Sequence, residues 1–121
     1  MRSFHHSKLP DYSALLSGHL PTDVVSFHSQ GLQIWYNNTA KTWVDAPEIP
    51  HYHDKSDEIF LVLKGAIHVE VDGQVHRIGP REFCCFPAGQ WHAVVFVEVP
   101  AETLMIRAPS VDDKVHRSDG A

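Results

Sequence analysis

Long apolar runs are missing from this chain. No segment approaches the roughly 20 residues that a membrane-spanning helix needs, which argues against a helical membrane protein. The first residues, Met1-Arg2-Ser3-Phe4-His5-His6, do not lead into an apolar signal-peptide core, so a cytoplasmic location is expected. Basic clusters are missing too. Lys and Arg total 10 against 15 Asp and Glu, a formal net charge of -5, and the cations are scattered singly. That balance disfavours nucleic acid or an anionic membrane as partner. Cysteine is scarce: Cys84 and Cys85 are the two present, and they are adjacent. Neighbouring Cα atoms sit about 3.8 Å apart, short of the usual disulfide range. The pair reads as two thiols on opposite faces of a strand, in a chain suited to a reducing compartment. Linkers, low-complexity segments and a second apolar core are also lacking. The 121 residues therefore read as one domain, long enough to bury a core without disulfide or zinc staples.

What is present is β pattern. Short runs rich in Val, Ile, Phe and Trp recur at Val24 to Phe27, Leu32 to Tyr36, Ile59 to Leu63 and Ala66 to Val71. They continue at Gln74 to Ile78, Phe83 to Phe86, Ala93 to Val99 and Thr103 to Arg107. Turn residues punctuate them at Asn37-Asn38, Lys64-Gly65, Asp72-Gly73, Gly79-Pro80 and Pro87-Ala88-Gly89. Asp72-Gly73, between two alternating strands, is the dipeptide a type I′ hairpin prefers, because both central residues take positive φ. Eight or so short strands without a long helix imply an all-β sandwich or barrel. Residues 1–23 are expected to form an irregular arm, with a short helical turn around Asp11 to Leu16. Residues 24–110 would form the barrel, and 111–121 a polar tail that frays. The arm and an exposed sheet edge suggest a homodimer.

Histidine is the composition outlier, at 10 residues. One segment concentrates it: Pro50-His51-Tyr52-His53-Asp54-Lys55-Ser56-Asp57-Glu58. Residues i and i+2 of a strand face the same side, so the imidazoles of His51 and His53 reach one point. Glu58 opens the apolar run Ile59 to Leu63, and a carboxylate turned into such a run needs a partner. A second segment, Pro87-Ala88-Gly89-Gln90-Trp91-His92, turns and delivers a third imidazole at the start of the next strand. A lone histidine beside apolar residues is usually a packed or surface residue. The combination of the two segments points instead to a metal held by His51, His53, Glu58 and His92.

These motifs resemble those of the cupin superfamily. Its first motif reads G-x5-H-x-H-x3,4-E-x6-G, and His51, His53, Glu58 and Gly65 match it, with Asp45 in place of the leading glycine. Its second reads G-x5-P-x-G-x2-H-x3-N, matched by Pro87, Gly89 and His92, with Arg81 and Phe96 at the first and last positions. The gap between the motifs, Ala66 to Pro80, is of the short kind seen in small microbial cupins. The resemblance covers roughly residues 30 to 108 and implies a double-stranded β-helix, or jelly-roll barrel, often dimeric. It also implies one divalent metal on the four matching residues.

Three imidazoles and a carboxylate suit Mn, Fe, Ni, Zn, Co or Cu, and leave coordination positions open for a small molecule. By strand phase from Glu58 and His92, Phe60, Val62, Val94 and Phe96 are expected to line the pocket, with Trp35, Trp43 and Met105 as further candidates. Trp91 should point away from the metal, His68 and His76 should face each other across the Asp72-Gly73 hairpin, and Gln33 and Arg107 stand near the barrel mouth. The pocket is thus expected to be apolar, with few acids or bases. The functional expectation is a metal-dependent oxygenase or a related small-molecule enzyme such as a lyase or isomerase. The alternative is a cupin that binds or senses a small ligand without converting it.

Overall fold

Residues 4–19, 25–40 and 47–117 are described by a computed structural model, and among them it contains nine strands and no helix. These are β1 (Ala14–Gly18), β2 (Phe27–His28), β3 (Gln33–Thr39), β4 (His51–His53) and β5 (Asp57–Val71), then β6 (Gln74–Ile78), β7 (Phe83–Phe86), β8 (Ala93–Ala108) and β9 (Lys114–His116). Seven of them form one sheet in the order β2-β1-β3-β8-β5-β6, with β7 also on β5, while β4 and β9 pair as a separate ribbon. Among the described residues no helix is long and apolar enough to cross a membrane.

The frame of the molecule is the antiparallel pair β5 and β8, each long enough to serve two halves of the structure. The first half of β5 lies between β7 and the end of β8, and the second half between β6 and the start of β8. The sequence predicts a turn at Lys64-Gly65 and separate strands ending at Val99 and starting at Thr103. Instead both strands run through, and the register slips between Val62 and Ala66. Gly65 makes this possible. It sits at φ +72°, and a Cβ there would lie 2.6 Å from the Pro100 carbonyl oxygen and 2.9 Å from Ala101 Cα. A left-handed residue without a side chain lets the two backbones cross closely while the strand bends.

The hairpin at Asp72-Gly73 forms as its sequence predicts, with φ of 52° and 78° and Val71 facing Gln74. Its register sets His68 opposite Arg77 and His76 opposite Val69, so the two histidines do not face each other. They stand four residues before Asp72 and three after Gly73, and that one-residue offset puts them on opposite faces.

The core is built from Val62, Ile67, Val69, Phe86 and Val94, with Phe60, Val71, Ile78, Cys84 and Val97 packed on it. The two ends of the chain are less irregular than expected. Ala14–Gly18 is a strand paired with β3 rather than a helical turn. A single helical turn fixes several residues for one hydrogen bond, whereas the open edge of β3 offers a row of partners. At the other end, β9 pairs with β4, setting His51 against His116 and His53 against Lys114. Of the strand expected at residues 24–27, position 24 lies outside the described residues, as does Trp43.

Gly65→Ala should lower the unfolding free energy by at least about 1–3 kcal/mol, the usual cost of a non-glycine residue in a strained conformation, and urea denaturation measures it. Gly73→Ala has open space around its Cβ and meets only the backbone strain, so its cost should be smaller.

Candidate metal centre

The site begins with backbone pairing. His51 N–H donates to the His92 carbonyl at 3.0 Å and His92 N–H donates to the His51 carbonyl at 2.8 Å. This reciprocal bridge joins two segments 41 positions apart in the chain. The turn before His92 is fixed in the same way: Gly89, at φ +88°, donates its N–H to the His53 carbonyl at 2.9 Å. Glu58 arrives from β5, opposite Phe86 and Arg107. The His92 ring stacks flat on Phe86, with centroids 4.0 Å apart. All four side chains are buried, and one donor atom from each lies within 4.8 Å of the other three.

Each imidazole is oriented from behind. His51 Nδ1 lies 3.0 Å from the Ile49 carbonyl, His92 Nδ1 lies 2.9 Å from the Gln90 carbonyl, and His53 Nδ1 lies 3.2 Å from Asp113 Oδ1. A carbonyl oxygen can only accept, so the His51 and His92 rings carry their proton on Nδ1 and turn the Nε2 lone pair to the centre. The inward contacts are then short of protons. His92 Nε2 stands 2.7 Å from Glu58 Oε1, His53 Nε2 stands 3.4 Å from Glu58 Oε2, and among the described residues His53 Nε2 is buried with no hydrogen-bond partner. Lone pairs facing a carboxylate in a buried space call for a cation between them. The donor set therefore fits a divalent transition ion.

The electrostatics agree. Burial pushes the His51 imidazole down to about 4, against a weaker opposing pull from the Ile49 carbonyl. Burial alone would raise Glu58, but His53 and His92 outweigh it wherever their Nε2 atoms carry protons and donate to the carboxylate, and hold the carboxyl at about 2; a cation at the same place does this once those atoms are bare. Glu58 is charged and His51 neutral at pH 7, so a metal would displace few protons from them.

Beside these residues lies a cavity of about 360 Å³. Trp35, Met105 and Phe60 line it, and they form one cross-strand row through β3, β8 and β5. Val62 and Val94, also expected there, are instead buried in the core. Phe96 is on the outer face, 49% exposed and edge-on to the His68 ring at 5.4 Å. Tyr52 and Trp91 pack edge-to-face on each other at 4.7 Å, and neither lines the cavity.

The walls are not apolar. Asn37, Glu48, Arg107 and Lys114 share them with the aromatic row. Glu48 accepts the Val94 N–H at 2.8 Å. The fully buried Gln33 amide turns its oxygen to Arg107 and to Trp35 Nε1, at 3.2 Å from the latter, and its amino group to Ser110 Oγ at 3.1 Å. Arg107 is readable from its phase, two residues after Met105. Lys114 and Asp113 are not, since they belong to a polar stretch without period.

A family model described as "Cupin domain" matches residues 42–107, more than half of the chain. The chain belongs to the cupin family. This cupin is 29% identical over 72 residues to an uncharacterized protein of Aquifex aeolicus (strain VF5), a match spanning 60% of each. Among solved structures it resembles KdgF from Halomonas sp., with a TM-score of 0.59 and 26% identity over 70% of this chain and 74% of that one. DMSP lyase DddQ from Ruegeria pomeroyi DSS-3 gives a TM-score of 0.65 at 20% identity, over 90% of this chain and 52% of that one. Oxalate decarboxylase from Bacillus subtilis gives 0.60 at 20%, over 75% and 25%. These likenesses agree with the jelly-roll barrel that the motifs imply.

Both His51 and Glu58 have folded-state values below their ordinary ones, so the unfolded chain binds more protons as pH falls. Stability of the metal-free cupin should be fully present above pH 6.5 and fall as His51 is forced to charge toward pH 4. It should fall further from pH 4.5 toward 2 as Glu58 is protonated. Thermal melts across pH check this, and His51→Gln should flatten the upper part of the profile.

Proposed function

We propose that this cupin is a metal-dependent enzyme acting on a small, acid-bearing molecule, with His51, His53, Glu58 and His92 holding one divalent ion of Mn, Fe, Ni, Zn, Co or Cu. The observation that carries the reading is the convergence of three buried Nε2 atoms and one carboxylate with a cavity opening beside them. Four protein ligands on a six-coordinate ion leave two positions open, and the ion would supply Lewis acidity or redox chemistry there. An oxygenase is the first expectation, and a lyase or isomerase the related one. Structural neighbours whose names include a lyase and a decarboxylase support this by analogy alone.

The substrate class follows from charge. Within the buried set, Glu58 and Asp113 are negative and Arg107 is positive. A divalent ion brings that set to one net positive charge, while Glu48 and Lys114 on the walls cancel. A monoanion, such as a carboxylate, balances the whole. Trp35, Phe60 and Met105 offer its carbon skeleton an apolar wall.

Elemental analysis of native protein should find about one metal per chain, and His92→Ala should lose most of it while staying folded. The loaded protein should then consume oxygen or convert a member of a panel of small carboxylic acids. The enzyme reading fails if nothing in the panel turns over. One observation favours the second reading, a cupin that binds or senses its ligand: the Glu48 carboxylate already accepts the Val94 N–H, which leaves the cavity poor in free bases. A ligand that survives purification unchanged and is not converted decides for it.

The same reading includes a homodimer. Residues that alternate with the cavity row point outward, and Ile59, Leu61, Leu104, Ile106 and Phe83 form a continuous apolar outer face across β8, β5 and β7. A self-complementary patch suits a two-fold pair. Phe83 is 64% exposed, so Phe83→Asp should leave the monomer folded and halve the mass measured by light scattering.

A further inference from the structure

Behind His53 is a second, fully engaged carboxylate. Asp113 is buried, and its Oδ2 accepts three donors: Lys55 N–H at 2.8 Å, Ser56 N–H at 2.9 Å and Ser56 Oγ at 2.8 Å. Its Oδ1 faces His53 Nδ1 at 3.2 Å and Arg107 Nη1 at 3.5 Å. The Asp113 backbone joins in, its carbonyl accepting the Asp54 N–H at 3.1 Å. One residue just before β9 thus fixes both the loop that sets the spacing between His53 and Glu58 and the ring of His53 itself.

His53 differs from the other two imidazoles in what stands behind it. Its Nδ1 lies between an acceptor, Asp113 Oδ1, and a donor, Arg107 Nη1 at 2.8 Å. Two tautomers therefore compete. If Arg107 donates, the proton sits on Nε2 and blocks the centre. If Asp113 accepts, the proton sits on Nδ1 and Nε2 is bare. A bond to a buried carboxylate is charge-assisted, and Arg107 keeps Gln33 and Asp113 as partners when it does not donate to His53.

We infer that Asp113 is a positioning residue that holds the proton of His53 on Nδ1, and that it makes the segment leading into β9 part of the metal centre. The inference rests on the metal reading above for its purpose, while the tautomer it assigns stands in the metal-free protein as well. Partners of this kind behind a metal-bound histidine set its orientation and basicity.

The deciding variant is Asp113→Asn. Three donors face the Oδ2 position, so the amide must put its oxygen there and its amino group at the Oδ1 position, against His53 Nδ1. The shape is kept, but the acceptor becomes a donor and the His53 proton is driven to Nε2. Zinc affinity, measured by competition with a chromophoric chelator, should fall about 10- to 100-fold. Histidine nitrogen NMR of the metal-free proteins should show His53 as Nδ1–H in the wild type and Nε2–H in the variant. Ser56→Ala removes one donor to Oδ2 and leaves Oδ1 alone, so it should change neither readout.

A role confined to holding the loop predicts the reverse, with Asp113→Asn close to wild type in both readouts, and that result overturns the inference. If wild-type protein takes up neither zinc nor any other of the six ions, the metal reading fails by itself. The tautomer comparison then still decides: a shift between the two proteins upholds the assignment to Asp113, and identical tautomers remove it.

Discussion

The site depends on two backbone hydrogen bonds, those exchanged by His51 and His92. They are made by main-chain groups, so they do not rely on the chemistry they assemble. They place an imidazole from the second motif beside two from the first, and everything else is arranged around that junction. Gly89 ties the approaching turn to His53, Phe86 supports the His92 ring, and β5 carries Glu58 into the gap. A buried carboxylate is costly unless it is partnered. Here His53, His92 and Arg107 already stand around it, and the preformed cluster means that little ordering would remain to be done on binding an ion.

Around this centre the charges form layers. Glu58 is innermost, Arg107 and Asp113 stand behind it, and Glu48 and Lys114 mark the cavity wall. Arg107 links the layers, since it touches Gln33, Asp113 and His53 and lies opposite Glu58 in the sheet. The aromatic row of Trp35 and Phe60 then confines the open side. An ion held in such surroundings is shielded from bulk water on most sides, which strengthens its interaction with any anion that shares the cavity.

Much of this was legible in the sequence, and for identifiable reasons. His51, His53 and Glu58 are close in the chain, so strand period alone gathers them. Phe60 follows from the same alternation, while Trp35 and Met105 join it through the pairing of β3 and β8. Val62 and Phe96 show where alternation stops being sufficient. Val62 has the right face but lies a row too deep, and counting forward from His92 carries the cavity phase past the irregular register between His68 and Val69 to Phe96, which is outside. Period gives a face and neither depth nor the position of a bulge. Asp113 and Lys114 were hidden for a different reason. Their segment has no hydrophobic pattern, so its place against β4 is a matter of topology.

The bend at Gly65 has a further consequence. Before it, the inward residues of β5 are the even ones, Glu58, Phe60 and Val62; after it they are the odd ones, Ile67, Val69 and Val71. The bulge acts as a phase shifter that keeps both halves of one strand facing inward, toward the His-Glu cluster with one parity and into the apolar core with the other. Chain length at this corner is therefore quantised. One residue more or fewer between Val62 and Ala66 would leave both halves intact as strands yet turn one of them inside out, whereas the tip of the hairpin at Asp72-Gly73 carries no such arithmetic for the site.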